Sequence, residues 1–216
     1  MKIRWNGHSS FTITAEDGTV IVTDPYEPGA FGGGIGYVAV DSEPDIVTVS
    51  HDHADHNYTE GFSTEFKEIR GNGEAAGIKF EGYDSFHDAN QGADRGKNTI
   101  ICFTVNGVRI CHLGDLGHNL DQDFLGKIGK VDILLAPVGG FYTIDAPTAT
   151  DIVERMRPAI VIPMHFKTEK CGFPIAEVAD FTHGKKTVRE IDADEIELFS
   201  DKLPGETEVI VLRHRL

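Results

Sequence analysis

Residues 50–56 have the sequence Ser50-His51-Asp52-His53-Ala54-Asp55-His56. His51 and His53 are two residues apart, so on an extended segment both rings project to the same side. Asp55 and His56 follow where the chain must turn, which lets them point at a second, nearby position. Imidazole and carboxylate groups suit divalent zinc, manganese or iron. The stretch therefore predicts a dinuclear metal site, and the simpler alternative is a polar surface loop.

Several other segments alternate as β-strands do, and the polar motifs come directly after them. The run Ile46-Val47-Thr48-Val49 leads into residues 50–56, and Asn106-Gly107 predicts a β-hairpin turn. If this turn forms, Cys102 and Cys111 face each other across the hairpin, and we expect them to be reduced. The predicted helices begin near Asp55 and cover residues 120–128, 147–156 and 174–181. This mixture favours layered sheets with helices outside and a site along one edge.

Residues 26–41 are rich in glycine and proline and have no periodic pattern. We therefore expect a flexible loop there. Because it lies between two strands that lead to polar motifs, it is a candidate lid.

Three more potential metal ligands lie where predicted strands end. His87 follows residues 83–86, Asp115 follows the hairpin, and His165 follows residues 159–162. Each one alone would be explained as a polar residue at a strand end. Together they supply the additional ligands that two metal ions need beyond residues 50–56.

With the apolar run before it, the stretch at residues 50–56 resembles the metal-binding motif of the metallo-β-lactamase superfamily. Within this superfamily the chain is similar to the group that holds ascorbate-6-phosphate lactonase-like enzymes and metal-dependent hydrolases. The resemblance runs from Trp5-Asn6-Gly7-His8-Ser9-Ser10 to Pro163-Met164-His165-Phe166. It implies an α/β (α+β) fold, an αββα sandwich that forms a single domain over residues 1–216.

The resemblance also implies which side chains hold each ion. One metal ion would be held by His51, His53 and His87, the other by Asp55, His56 and His165, and Asp115 would bridge both. The implied cofactor is two divalent metal ions, with Zn²⁺ favoured and Mn²⁺ or Fe²⁺ also suited to these ligands.

Two neighbouring cations would lower the pKa of a water molecule held between them, so that hydroxide becomes the nucleophile. Asp55 and Asp115 could orient this hydroxide as well as bind metal. The predicted function is hydrolysis of a small anionic metabolite such as a lactone or an ester. The alternatives are a metal-dependent phosphodiesterase and a non-catalytic metal-binding or sensor protein on the same fold.

Five further residues have candidate roles around the metals. Asp24 resembles the superfamily's carboxylate that supports a ligand histidine, and the alternative is a strand-end cap. His8 could be a proton donor or substrate contact, or an ordinary turn histidine. Arg95 could clamp a carboxylate or phosphate, Asn98 could donate a hydrogen bond to substrate, and Tyr142 could shape the pocket or simply pack.

The 216 residues carry a formal net charge of −15, which argues against binding nucleic acid through its phosphates. A small anionic substrate is still compatible, because two divalent cations would reverse the local field. The sequence contains no apolar run of transmembrane length and no signal-peptide core. Its three cysteines, an odd number, fit a reducing compartment. We expect a cytoplasmic protein with a small-molecule substrate and no nucleic-acid or membrane partner, and the sequence leaves homo-oligomer formation open.

Overall fold

Two β-sheets share one hydrophobic core in the computed structural model, which describes residues 1–215. The six-stranded sheet has the order β13 (Glu195–Glu197), β1 (Lys2–Gly7), β2 (Ser10–Thr14), β3 (Val20–Thr23), β4 (Ile46–Thr48) and β5 (Lys67–Ile69). The eight-stranded sheet has the order β12 (Val188–Ile191), β14 (Glu208–Leu212), β11 (Ile160–Met164), β10 (Ile133–Pro137), β9 (Val108–His112), β8 (Lys97–Val105), β7 (Ile78–Phe86) and β6 (Gly73–Ala75). The predicted mixed α/β fold is confirmed.

The helices are short: α1 (Ala30–Gly33), α2 (Gln122–Ile128), α3 (Ala146–Met156) and α4 (Val178–Thr182), with a 3₁₀ turn at Ser200–Lys202. The longest, α3, is capped by Asp145, whose carboxylate accepts a hydrogen bond from the Thr148 N–H. Its Ile152 and Val153 are buried in the shared core. None of the helices in residues 1–215 is long and apolar enough to cross a membrane.

Parallel pairing brings the ends of several strands together. In the larger sheet β9, β10, β11 and β14 are parallel neighbours, and β10 and β11 are buried along their whole length, as expected for strands covered on both faces. In the smaller sheet β3 and β4 are parallel. The segments that follow β4, β9 and β11 are the ones that carry the predicted metal ligands.

The hairpin predicted at Asn106-Gly107 is confirmed. Strands β8 and β9 pair with Val105 opposite Val108, and both turn residues have positive φ, which a type I′ turn requires. Cys102 lies opposite Cys111 in this hairpin, and both are buried free thiols.

The predicted helix near Asp55 is wrong. A helix there would need the Tyr58 N–H to bond the Ala54 carbonyl. Instead the Tyr58 N–H donates to the Pro25 carbonyl, and the Ala54 carbonyl accepts from the Glu27 N–H. Residues 51–56 are therefore held as irregular turns against the segment that follows β3.

From its composition we expected a flexible loop at residues 26–41. In the structure this loop is firmly attached to the rest of the protein. Tyr26, Ile35 and Tyr37 are buried, and the Gly36 N–H donates to the Lys170 carbonyl at 2.8 Å. A glycine-rich sequence could not reveal this attachment, because the bonding partner Lys170 lies in a distant part of the chain.

Other differences concern element length. The predicted helix at 147–156 is confirmed, whereas the one at 174–181 forms only over Val178–Thr182 because the Ala176 N–H bonds the Gly139 carbonyl. The strand predicted at residues 83–86 is the last part of a longer strand, β7. The strands β6, β12 and β13 have only three or four residues each and were not predicted.

Candidate metal centre

Seven potential ligand side chains come from four strand ends in both sheets. Residues 51–56 follow β4, His87 follows β7, Asp115 follows β9, and His165 follows β11. All of them except His53 are buried. The structure therefore brings together every residue that the sequence predicts as a metal ligand.

The ligand atoms form two neighbouring groups. We call His51, His53 and His87 the outer group, and Asp55, His56 and His165 the inner group. Within the outer group the ligand atoms lie within 4.8 Å of one another, and the inner group together with His8 meets the same limit. In the outer group, His51 Nε2 lies only 3.0 Å from His53 Nδ1.

Asp115 contacts both groups through one oxygen. Its Oδ2 lies 3.1 Å from His56 Nε2 and 3.3 Å from His165 Nε2 on the inner side. On the outer side the same oxygen lies 3.3 Å from His87 Nε2. A carboxylate in this position can bind ions in both groups at once.

Asp24 supports a histidine of each group from behind, whereas the resemblance implies only a carboxylate that supports one ligand histidine. Its Oδ2 accepts hydrogen bonds from His56 Nδ1 at 2.8 Å and from Ser50 Oγ at 2.5 Å. Because the Ser50 hydroxyl donates to Asp24, its oxygen accepts from His51 Nδ1, 2.9 Å away. Both histidines are thereby held with Nε2 as the nitrogen that is left for a metal.

The electrostatics of the site keep Asp115 ionised, but they shift the pKa values of its histidines in opposite directions. Burial lowers the pKa of His51 to about 3, and burial together with His165 lowers the pKa of His8 to about 4. Burial opposes the ionisation of Asp115, but His165 and His56 outweigh it and hold its pKa well below the usual value. His56 differs from His51 and His8: burial opposes its charge, but Asp115 and Asp55 raise its pKa well above the usual value, which favours a protonated ring.

The donor set fits a divalent cation. Asp24, Asp55 and Asp115 are buried, and within residues 1–215 their ion-pair partners are all histidines. Burying three carboxylates in one place is costly unless a cation lies beside them. Asp55 Oδ1 and His56 Nε2 are also buried without a hydrogen-bond partner in the described chain, which a metal ion would correct.

Two candidate substrate contacts are used inside the protein. His8 is 1% exposed, and its Nε2 lies 3.1 Å from Asp55 Oδ2, so it holds Asp55 rather than facing the cavity. Asn98 is also 1% exposed, and its amide donates to Ser85 Oγ and the Leu113 carbonyl. Its Oδ1 accepts from the Asp115 N–H. The predicted hydrogen bond from Asn98 to substrate is therefore wrong, because its donors are occupied in fixing the Asp115 loop.

A cavity of about 330 Å³ opens beside both groups, and Arg95 and Tyr142 line it. Phe31 and Phe173 also line this cavity. They have no motif of their own, and only the glycines around Phe31 in a region without periodicity could have drawn attention to it.

The comparisons with known proteins agree with this geometry. A family model described as Beta-lactamase superfamily domain matches residues 2–165. A UPF0173 metal-dependent hydrolase from Methanosarcina barkeri is 30% identical over 199 residues, which cover 78% of this chain and 84% of the relative. A UPF0173 metal-dependent hydrolase from Nitratidesulfovibrio vulgaris is 28% identical over 206 residues, which cover 82% of each chain.

A solved structure is similar over almost the whole chain. It is the crystal structure of a candidate Zn-dependent hydrolase of the metallo-β-lactamase superfamily from Thermotoga maritima, with a TM-score of 0.81, 33% identity and 99% coverage of both chains. The family match at residues 2–165 includes all seven potential ligands. The chain therefore belongs to the metallo-β-lactamase superfamily and, with these relatives, to its metal-dependent hydrolases.

Proposed function

We propose that this protein is a dinuclear hydrolase of a small anionic metabolite, such as a lactone or an ester. The observation that carries the proposal is the position of Asp115 Oδ2, within 3.3 Å of nitrogen atoms from both groups. A site for one ion would not need ligands on both sides of this oxygen. Complete ligand sets on both sides favour catalysis over a purely structural role.

In this proposal the outer group and the inner group would each hold one divalent cation, and Asp115 would be available as a ligand to both. Zn²⁺ suits the histidine-rich donor set first, and the similarity to a candidate Zn-dependent hydrolase supports it. Mn²⁺ and Fe²⁺ accept the same donors. When bound, such cations polarise a carbonyl or phosphoryl oxygen and lower the pKa of water towards neutrality.

The chain's own residues would orient the reaction. Asp55 lines the cavity, and its Oδ1 has no hydrogen-bond partner within the described chain. The His8 ring holds Asp55 through Oδ2, which leaves Oδ1 to bind metal or to accept a proton from an attacking water. Tyr142, Phe31 and Phe173 reduce the access of bulk water to the same space.

The experiment that tests this proposal is elemental analysis of protein purified without chelator, followed by assays on lactones, carboxylic esters and phosphodiesters. We expect about two metal ions per chain and hydrolysis of an anionic lactone or ester. Preferential cleavage of phosphodiesters would favour the alternative reaction, because the same arrangement suits phosphoryl transfer. Metal binding without turnover of any substrate class would support a non-catalytic sensor instead.

A further inference from the structure

Arg95 is a cation at the cavity without an acidic partner in residues 1–215. It lines the same space as Asp55 and Asp115. By contrast, the arginines that do pair with Asp or Glu are Arg4, Arg70, Arg109, Arg155, Arg189, Arg213 and Arg215. In a protein with a net charge of −15, an arginine that stays unpaired beside a cavity is available to an anion from outside.

The loop that carries Arg95 is rigidly organised. The Asp88 carboxylate accepts hydrogen bonds of 2.7–3.0 Å from the backbone N–H groups of Asn90, Gly92, Asp94 and Arg95. The Arg95 guanidinium carbon lies 5.3 Å from the centroid of the Tyr142 ring, a distance at which cation–π attraction is effective. The backbone and the guanidinium of Arg95 are thus both held in place.

Three aromatic rings continue from Arg95 across the cavity, and we call Tyr142, Phe173 and Phe31 the aromatic wall. The ring centroids of Tyr142 and Phe173 are 5.5 Å apart, and those of Phe173 and Phe31 are 5.7 Å apart. Phe31 is 59% exposed and has a φ of +55°. A bulky side chain that is both exposed and in the left-handed region is unfavourable unless it has a use.

The two segments that supply Phe31 and Phe173 are bonded to each other. The Gly172 N–H donates to the Gly34 carbonyl at 2.8 Å. A Cβ on Gly34 would lie 2.7 Å from the Phe173 ring, so only glycine permits this approach. The Lys167 ammonium also donates to the Phe173 carbonyl at 2.9 Å. The wall is therefore a preformed surface.

We propose that Arg95 and the aromatic wall bind a substrate that carries a carboxylate or phosphate on an apolar or ring-shaped body. The oxyanion accepts two parallel hydrogen bonds from the guanidinium, and the body packs on the wall beside the metal-binding groups. A cavity of about 330 Å³ limits this body to a small molecule. The inference names the substrate of the hydrolase proposed above, but its binding test does not require turnover.

The test measures binding of phenylacetate, phenyl phosphate and neutral phenylacetamide to metal-free protein by calorimetry. Without metal, an anion cannot bind to the cations. Since hydrogen bonds between charged groups are strong, we expect both anions to bind at least about tenfold more tightly than phenylacetamide. Arg95→Met should reduce this preference to about onefold, and Arg95→Lys should retain part of it because an ammonium lacks the planar fork.

Two further variants separate charge from packing. Lys97→Met removes a positive charge that lines a neighbouring depression but not this cavity, so the anion preference should stay unchanged. Phe173→Ala should weaken all three probes by similar factors, because the wall contacts the uncharged body. Circular dichroism shows whether each variant is folded. If Arg95→Met does not fold, the anion preference of Arg95→Lys tests the inference instead.

The inference is overturned if wild-type protein shows no anion preference, if Arg95→Met keeps it, or if Lys97→Met loses it equally. A different outcome is that the wild-type protein prefers the anions over phenylacetamide, but that the metal-loaded protein hydrolyses no ester, lactone or phosphodiester. It would support the anion site and contradict the proposed hydrolysis.

Discussion

The outer and inner groups use similar side chains but are supported differently. In the inner group, His56 is held by Asp24 at 2.8 Å and Asp55 by His8 at 3.1 Å. In the outer group, His51 reaches Asp24 only through the Ser50 hydroxyl. Each group also contains one histidine, His87 or His165, whose Nδ1 is buried without a partner in the described chain. His53 is also half-buried rather than buried.

For the dinuclear centre proposed above, this difference predicts two metal sites of unequal strength. Supporting partners fix the tautomer and orientation of a ligand and raise its basicity. Carboxylate and histidine partners around the inner group should therefore hold a metal ion more tightly than the single hydroxyl relay behind the outer group. In the proposed centre, the same six-residue stretch, His51 to His56, thus contributes ligands to the stronger site and to the weaker one.

Asp115→Asn should have the largest effect, because this carboxylate contacts both groups. The amide keeps the shape but loses the charge that balances the cations. We expect both ions to bind at least about 100-fold more weakly and hydrolysis to be lost, as measured by metal content and kcat/KM. Asp121→Asn, at the cap of α2, is a matched control that should change neither, since Asn caps equally well.

Removal of metal should occur in two steps. During dialysis against chelators of increasing metal affinity, the first ion should leave the outer group. The second ion should leave the inner group only when the chelator binds metal about 10- to 100-fold more tightly. Metal content per chain measures both steps. In His53→Ala the first step should disappear and the second should persist. Simultaneous loss of both ions from the wild-type protein would contradict the inequality.

Asp24→Asn and Ser50→Ala compare the two routes of support. Asp24→Asn disturbs His56 directly and His51 through Ser50, so it should weaken both ions by about 10- to 100-fold. Ser50→Ala should weaken the outer ion alone and by a smaller factor, because the bond from His56 to Asp24 is untouched. Titration of metal-free protein with Zn²⁺ gives the two affinities. Equal losses in both variants would show that Asp24 acts only through Ser50.

His8→Asn should affect only the inner group. Asn tolerates the left-handed backbone of position 8, where φ is +52°, but its shorter side chain loses the contact with Asp55. The lost charge-assisted hydrogen bond corresponds to about 1.5–3 kcal/mol. The inner ion should bind more weakly by the matching factor, and the outer affinity should not change. A weakened outer affinity would instead indicate general distortion of the site.

Much of this arrangement was predictable because its signals are local. The spacing of His51, His53, Asp55 and His56 and the Asn106-Gly107 turn act through neighbouring residues. His87, Asp115 and His165 could be proposed because each follows a predicted strand. Family resemblance, rather than periodicity, supplied their division into two groups.

The roles of His8, Asn98, Phe31 and Phe173 required the tertiary structure. A sequence shows that His8 and Asn98 are polar. It does not show that His8 is hydrogen-bonded to Asp55, or that Asn98 accepts a hydrogen bond from the Asp115 N–H. Phe31 and Phe173 are far apart in the chain and meet because Gly34 and Gly172 allow two segments to approach closely.

The sequence by itself thus determined the type of ligands, the strand-end positions that carry them and the superfamily. Only the tertiary structure decided that Asp115 contacts both groups, that the inner group has the stronger support and that an aromatic wall leads to Arg95. The physical reason is that secondary structure depends on neighbours within a few residues. Hydrogen bonds and close packing between distant segments depend on the three-dimensional path of the chain.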